Sequence, residues 1–277
     1  ALANGVFAAL PALAAFVGAA LIQVGTNFAN DYYDAQQGAD TADREGFTRV
    51  TASGIIEAPE VKRAMYLTFA AAILVGSYLV YVGGVPILVI GLLSVASGIA
   101  YTGGPYPLGY HGLGDLFVFV FFGLVAVTGT YYVQAASVVA GAFPAAVPSG
   151  TLPAVAVLVS LPVACLSTNI LVVNNVRDRE EDATTGKRTL AVRFGYGVAR
   201  AEFVALLAVA YLVPVFLVAD GYYAYPVLLP LLTLPYAGLL TRTMLTETKG
   251  SVLNPALERA GKLLAGFSVL FAIGLGA

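Results

Sequence analysis

The chain has 277 residues, of which 59% are hydrophobic and only 11% charged; 14 Lys and Arg face 16 Asp and Glu, for a net charge of −2. Soluble domains are about 45–50% apolar and about 25% charged, and a mean hydropathy of +0.84 lies far outside that class. The composition excludes a water-soluble domain, a disordered chain, a nucleic-acid-binding protein and a disulfide-stapled secreted scaffold, since Cys165 is the single cysteine. It predicts an all-α, polytopic transmembrane helix bundle.

In chain order, eight stretches are apolar over close to the 20 residues that span a bilayer. They run from about 5–28, 61–82, 85–103, 115–140, 152–175, 197–219, 222–241 and 258–277. Barrel strands would be about ten residues long with alternating polarity. Threading the chain through a membrane puts the loops near 29–60, 104–114, 176–196 and 242–257 on one face. The loops near 83–84, 141–151 and 220–221 fall on the other. All 14 cations then lie on the first face or within a turn of it, and of the 16 acids only Asp220 lies on the second. The positive-inside rule makes the first face cytoplasmic, in a cytoplasmic (cell inner) membrane. The chain reads as one transmembrane domain over 1–277, made of two pseudo-repeats of about four helices with cytoplasmic cap loops.

The first stretch is apolar from its start, with no initiator Met and no charge before Asp31, so it lacks the basic region of a signal peptide. It runs into Asn27, Asn30, Asp31 and Asp34, which share one helical face. The fifth stretch runs into Asn174, Asn175, Asp178 and Asp182 at the same spacing. Polar helix ends at the membrane boundary are ordinary. Here, however, the carboxylates stand at C-terminal ends, where the helix dipole disfavours them, and Asn recurs beside Asp in both. Facing carboxylates need a cation between them. Hard oxygen ligands suit Mg²⁺ together with phosphate oxygens, so the pair of stripes predicts a Mg²⁺–diphosphate site. Arg44 and Arg49 follow the first stripe, and Lys187 and Arg188 follow the second, as candidate diphosphate contacts. Gly186-Lys187 is no P-loop, because Glu181 occupies the required upstream Gly position.

Between the third and fourth stretches lies a loop from Tyr101 to Asp115, rich in Gly and Pro, with Tyr101, Tyr106 and Tyr110 and the only histidine, His111. A simple turn needs fewer residues, so part of the loop is expected to cover the site. Tyr101 or Tyr106 is the expected substrate contact; His111 reads as a structural or solvated residue rather than a base.

With these stretches in view, the sequence resembles the UbiA superfamily of intramembrane aromatic prenyltransferases. The first superfamily motif, N-D-x-x-D, is matched by Asn30-Asp31-Tyr32-Tyr33-Asp34. The second, D-x-x-x-D-x-x-x-G, is matched by Asp178, Asp182 and Gly186. Longer strings are most similar to the branch acting on 1,4-dihydroxy-2-naphthoate: Gly25 to Asp34, Tyr101 to Asp115, Asn174 to Asp178, and Gly186 to Leu190. The sequence departs where a third Asp often follows, with Gly38 there and Asp40 two residues on. The family has nine helices, and its basic opening element has no counterpart here. On this reading the first family helix is missing from the sequence, leaving a groove beside 5–28.

The resemblance implies a reaction. A polyprenyl diphosphate is held through Mg²⁺ by Asn30, Asp31, Asp34, Asp178 and Asp182. Asn27, Asn174 and Asn175 join Tyr101 and Tyr106 as substrate contacts. The prenyl group passes to 1,4-dihydroxy-2-naphthoate with loss of CO₂, giving demethylmenaquinol. Another acceptor, such as 4-hydroxybenzoate or homogentisate, is the alternative within the family. A secondary transporter would place its ionisable groups near the midplane, and the helix centres here carry none. A membrane phosphotransferase would carry D-G-x-x-A-R, which is absent. A purely structural role leaves the paired stripes unexplained. Because each prenyl CH₂ exposed to water costs about 0.8 kcal/mol, lateral access from membrane lipid is the expected route for the substrate.

Overall fold

A computed structural model describes residues 1–38 and 50–277, and all its regular elements are helical. Among the described residues, seven segments are long and apolar enough to cross a membrane. We label them α1 (Ala9–Gln36), α2 (Ala58–Ala100), α3 (Gly114–Val139), α4 (Ala154–Arg177), α6 (Leu190–Ala219), α7 (Tyr225–Thr246) and α8 (Gly250–Gly276), with α5 (Arg179–Thr184) a short helix between α4 and α6.

The eight expected passes and these seven segments are reconciled at α2. Its 43 residues would make a rod about 64 Å long, twice a bilayer core. Gly84, at φ 66° and ψ −151°, breaks it. A Cβ added at Gly98 would lie 3.4 Å from the Phe69 ring, although 29 residues of straight helix would separate them by about 43 Å. α2 is therefore a hairpin of two antiparallel arms. Only glycine fits its tip, where a Cβ on Gly84 would sit 1.8 Å from the Pro144 carbonyl oxygen.

The passes depart from expectation mainly at their site-facing ends. α1 carries its helical hydrogen bonding through Asp34 to Gln36. α6 begins at Leu190, capped by the Thr189 hydroxyl, and breaks at Gly195, at φ 81° and ψ 175°. α8 begins at Gly250, so the expected 242–257 loop is mostly helix.

α4 is the central post and packs on α3, α6 and α8. Leu166, Val172, Val173 and Val176 meet Phe203, Leu217, Met244, Leu253 and Phe267 in the main core, built from the second group of four passes. Smaller clusters join the first group, around Met65 and Phe69 and around Ile87 and Tyr132. The outward faces stay apolar, with Leu13, Phe16, Leu74 and Leu92 exposed, as lipid contact requires. α3 meets α4 closely where a π-helical turn at Phe119–Val125 presents Gly123 to Ala164.

The two ends of the bundle differ. At one end the N-terminal turn bonds to α3 (Asn4 to the Tyr131 hydroxyl, 2.9 Å), and the α2 tip bonds to the 140–153 loop (Phe143 N to Tyr81 O, 2.8 Å). The acidic stripes lie at the other end, with most of the described cations at or near it, while Lys262 stands about halfway along α8.

Candidate active site

The first stripe is held by the loop that follows α2. The Thr102 hydroxyl donates to Asn30 Oδ1 at 3.0 Å, and Gln37 Nε2 donates to the Thr102 carbonyl at 2.7 Å. The Tyr33 ring lies against Gly103, where a Cβ would stand 2.6 Å from it. Asp31 and Asp34 are 5% and 2% exposed. Asp31 Oδ2 accepts from the Thr51 hydroxyl at 3.1 Å, while its buried Oδ1 has no hydrogen-bond partner among the described residues.

The second stripe is not one continuous helix. Asp178, at φ −90° and ψ 3°, ends α4 and starts α5, and Glu180, Glu181 and Asp182 occupy the first turn of α5. The expectation of carboxylates opposed by the helix dipole is corrected here: a first turn favours acids. Backbone bonds from Asp178 N to Asn174 O and from Asp182 N to Asp178 O keep the four-residue spacing through the bend. Arg177, itself buried, grips Asp178 at both carboxylate oxygens (2.5 and 2.8 Å) and also donates to Asn174 Oδ1 (2.8 Å) and Asn254 Oδ1 (3.0 Å). Arg177 and Asn254, which is far away in the chain, are site residues that the sequence reading missed.

The two stripes meet through Lys187 and Tyr110. Lys187 Nζ lies 3.1 Å from Asp34 Oδ2, and the Tyr110 hydroxyl donates to Asp34 Oδ1 at 2.8 Å. Lys187 also stands over the Tyr110 ring, 5.0 Å from its centroid. A cation following the second motif thus pairs with an acid of the first. The Arg188 amide donates to the Tyr110 carbonyl at 2.8 Å, while the Arg188 side chain is exposed.

The Tyr101–Asp115 loop splits its tyrosines. Tyr101 is tucked between Gly109 and Gly114, and a Cβ on Gly114 would lie 2.7 Å from its hydroxyl. Burial, reinforced by Asp115, Asp34 and Asp182, pushes the Tyr101 phenol up, so it stays a neutral hydrogen-bond donor. Tyr106 is 57% exposed and stacks on His111, their ring centroids 3.5 Å apart. His111 Nδ1 lies 2.8 Å from the Pro107 carbonyl, which gives it a structural task. Inward of the stripes, Asn175 Nδ2 donates to Asp115 Oδ1 at 3.3 Å. Asn27 is exposed. Arg44, Arg49 and Asp40 lie outside the described residues.

The described residues hold no tight group of three carboxylate, His or Cys ligands. What the geometry assembles is an array of oxygen donors and cations from both halves of the bundle, with an open carboxylate oxygen on Asp31.

Residues 1–252 match the model of the UbiA prenyltransferase family. The chain is 35% identical to the 1,4-dihydroxy-2-naphthoate octaprenyltransferase of Escherichia coli, over 98% of this chain and 86% of that protein. It is also 35% identical to the Haemophilus influenzae protein of the same name, over 92% and 80%. Among solved structures, the apo UbiA homologue from Aeropyrum pernix K1 superposes with a TM-score of 0.70 at 15% identity, covering 95% of this chain and 90% of that one. A UbiA homologue from Archaeoglobus fulgidus, bound to DMAPP and Mg²⁺, gives a TM-score of 0.53 at 13% identity, over 96% and 89%. With both Asp motifs brought to one end of a polytopic helical bundle, the chain belongs to the UbiA prenyltransferase family.

Proposed function

We propose that the protein transfers a polyprenyl group from polyprenyl diphosphate to 1,4-dihydroxy-2-naphthoate, with loss of CO₂, giving demethylmenaquinol. The observation that carries this reading is the cross-motif pairing of Lys187 with Asp34, which joins an acid of the first motif to a cation that follows the second. The similarity to relatives named for that acceptor supports the choice of ring.

The donor set fits Mg²⁺. Asn30, Asp31, Asp34, Asp178 and Asp182 offer hard oxygens, and the buried Asp31 Oδ1, without a partner among the described residues, is the kind of atom a cation satisfies. When bound, Mg²⁺ supplies positive charge against the diphosphate oxygens. Lys187 exchanges Asp34 for phosphate, and Arg188, with Arg44 and Arg49, adds charge-assisted contacts. Charge developing on the leaving diphosphate is met by groups already in place, which is where such sites gain most. Arg177 holds Asp178 in one orientation. Asn27, Asn174, Asn175 and Tyr101 border the substrate, and the apolar bundle below keeps water from the allylic cation. Tyr106, exposed and stacked on His111, would reach substrate only if the loop closes.

The prenyl tail enters laterally from the bilayer while the diphosphate stays at headgroup depth. The site faces the cytoplasm, because the cations gather at its end of the bundle. Membranes containing the protein, given labelled polyprenyl diphosphate and each aromatic acid in turn, test the reading. Transfer to the naphthoate that stops with EDTA and returns with Mg²⁺ is expected; transfer only to another acid would replace the acceptor, and no transfer would reject the reading.

A further inference from the structure

Asp115 is 6% exposed at the start of α3, and its Oδ1 accepts the Asn175 amide at 3.3 Å. Asn175 stands three residues before Asp178 on α4, so Asp115 lies about one helical turn, roughly 4.5 Å, inward of the second stripe. Tyr101 packs against the neighbouring Gly114, and its phenol feels Asp115, Asp34 and Asp182 together. Tyr101 therefore packs beside the start of α3 that carries Asp115, within the electrostatic reach of the acids at the mouth.

The carboxylates differ in their company. Asp34 is paired with Lys187, and Asp178 with Arg177. Among the described residues no cation pairs with Asp115, and its neighbours Tyr101 and Asn175 bring no positive charge.

The reaction needs a group in this layer. The allylic carbon is bonded to the diphosphate, and the tail runs inward, so the acceptor ring must lie just below the stripes. Its attacking carbon is made electron-rich by the adjacent hydroxyl, most of all when that hydroxyl loses its proton.

We propose that Asp115 is the proton acceptor for the acceptor's ring hydroxyl, an inference that rests on the functional reading above. The balance runs in two stages. The ring's electron pair forms the carbon–carbon bond while the prenyl C–O bond breaks and its pair leaves with diphosphate. The hydroxyl becomes a ketone, and its proton passes to the Asp115 carboxylate. The substituted carbon then carries a carboxylate β to that ketone. Its bond to CO₂ breaks, the pair returns to the ring as an enolate, and Asp115 hands the proton back to the oxygen. No oxidant or reductant is consumed. Asn175 orients Asp115, and Tyr101 walls the ring against it.

A purely structural role is the rival, since Asp115 sits in the first turn of α3, where a carboxylate favours the helix dipole. The test compares wild type with Asp115→Asn in full-length protein, on naphthoate analogues whose ring hydroxyl is made progressively more acidic. Prenyl diphosphate binding is measured beside turnover. A positioned base contributes about 10²–10⁴-fold. Asp115→Asn should therefore lose about that much kcat on the parent acceptor and keep prenyl diphosphate binding. The ratio of wild type to variant should shrink at least about tenfold across the series, because an acidic hydroxyl needs less help. Asp115→Glu, which keeps a carboxylate, should recover part of the rate. A constant ratio, a loss under about threefold, or loss of prenyl diphosphate binding in the variant would overturn the proposal. Wild type inactive on the naphthoate would reject the functional reading instead, and the series would run on whichever hydroxyarene it prenylates.

Discussion

Gly123 gives the sharpest link between packing and the site. A Cβ there would lie 2.1 Å from both Cα and Cβ of Ala164. Carbon atoms settle at about 3.5–4.0 Å, so Gly123→Ala must part α3 from α4 by about 1.5 Å. A rigid shift of that size would stretch the Asn175–Asp115 bond, now 3.3 Å, beyond hydrogen-bond range. Overpacking of this kind costs about 1–3 kcal/mol. For a chain of this size that is a fall in Tm of about 2–12 °C. Gly129 lies on the same helix with nothing within 4 Å of an added Cβ, so Gly129→Ala is the control. It should be neutral or stabilised by up to about 1 kcal/mol, because Ala outperforms Gly inside a helix. Thermal unfolding in detergent and turnover in membranes read both effects. If Gly123→Ala melts and turns over like Gly129→Ala, the close α3–α4 contact does not set the site.

Asp34→Asn and Asp178→Asn should each abolish turnover, read as product formed with Mg²⁺ present. Asp178→Asn should also lose stability in a melt, because it leaves the buried Arg177 charge poorly compensated. Asp34→Asn should stay folded, keeping a side-chain oxygen for the Tyr110 hydroxyl. Thr102→Val removes the bond to Asn30 and should cost about 1 kcal/mol, measured as weaker binding of prenyl diphosphate with kcat less affected. For orientation, single cysteines replacing Glu57 at the site end and Val147 at the opposite end, with Cys165 replaced by Ala, should label from the cytoplasmic and outer sides respectively; the reverse pattern would invert the assigned topology.

Hydropathy and charge made the bundle legible, because lipid admits few alternatives to apolar helices. The eight passes follow from the lengths of the apolar runs and the partition of charge between the loops, and even the α2 hairpin is marked by Gly83-Gly84 followed by Pro86. The Asp stripes were legible as repeated Asn/Asp spacing. Their partners were not. Lys187 could be named as a diphosphate contact, but its pairing with Asp34 spans 153 residues and depends on how the halves meet. Arg177 stands one residue before the second motif and counts, in the sequence, only as one of the 14 cations of the charged face. Nothing local distinguishes Tyr110 from Tyr106, which differ by the turn that points one at Asp34 and the other at His111. Asp115 looked like the end of a loop. Its burial depends on α4 packing across it, which no local pattern encodes. Glu202 is hidden in the same way, two residues after Arg200 near the start of a long apolar run.

The most direct test of the central claim follows both ends of the acceptor at once. The naphthoate carries label in its carboxyl group, the polyprenyl diphosphate carries a second label in its chain, and wild-type membranes are compared with Asp34→Asn. Wild type should release one labelled CO₂ for each chain transferred to the ring, and Asp34→Asn should release neither product. Chain transfer with the carboxyl retained, or equal activity in the variant, would contradict the account.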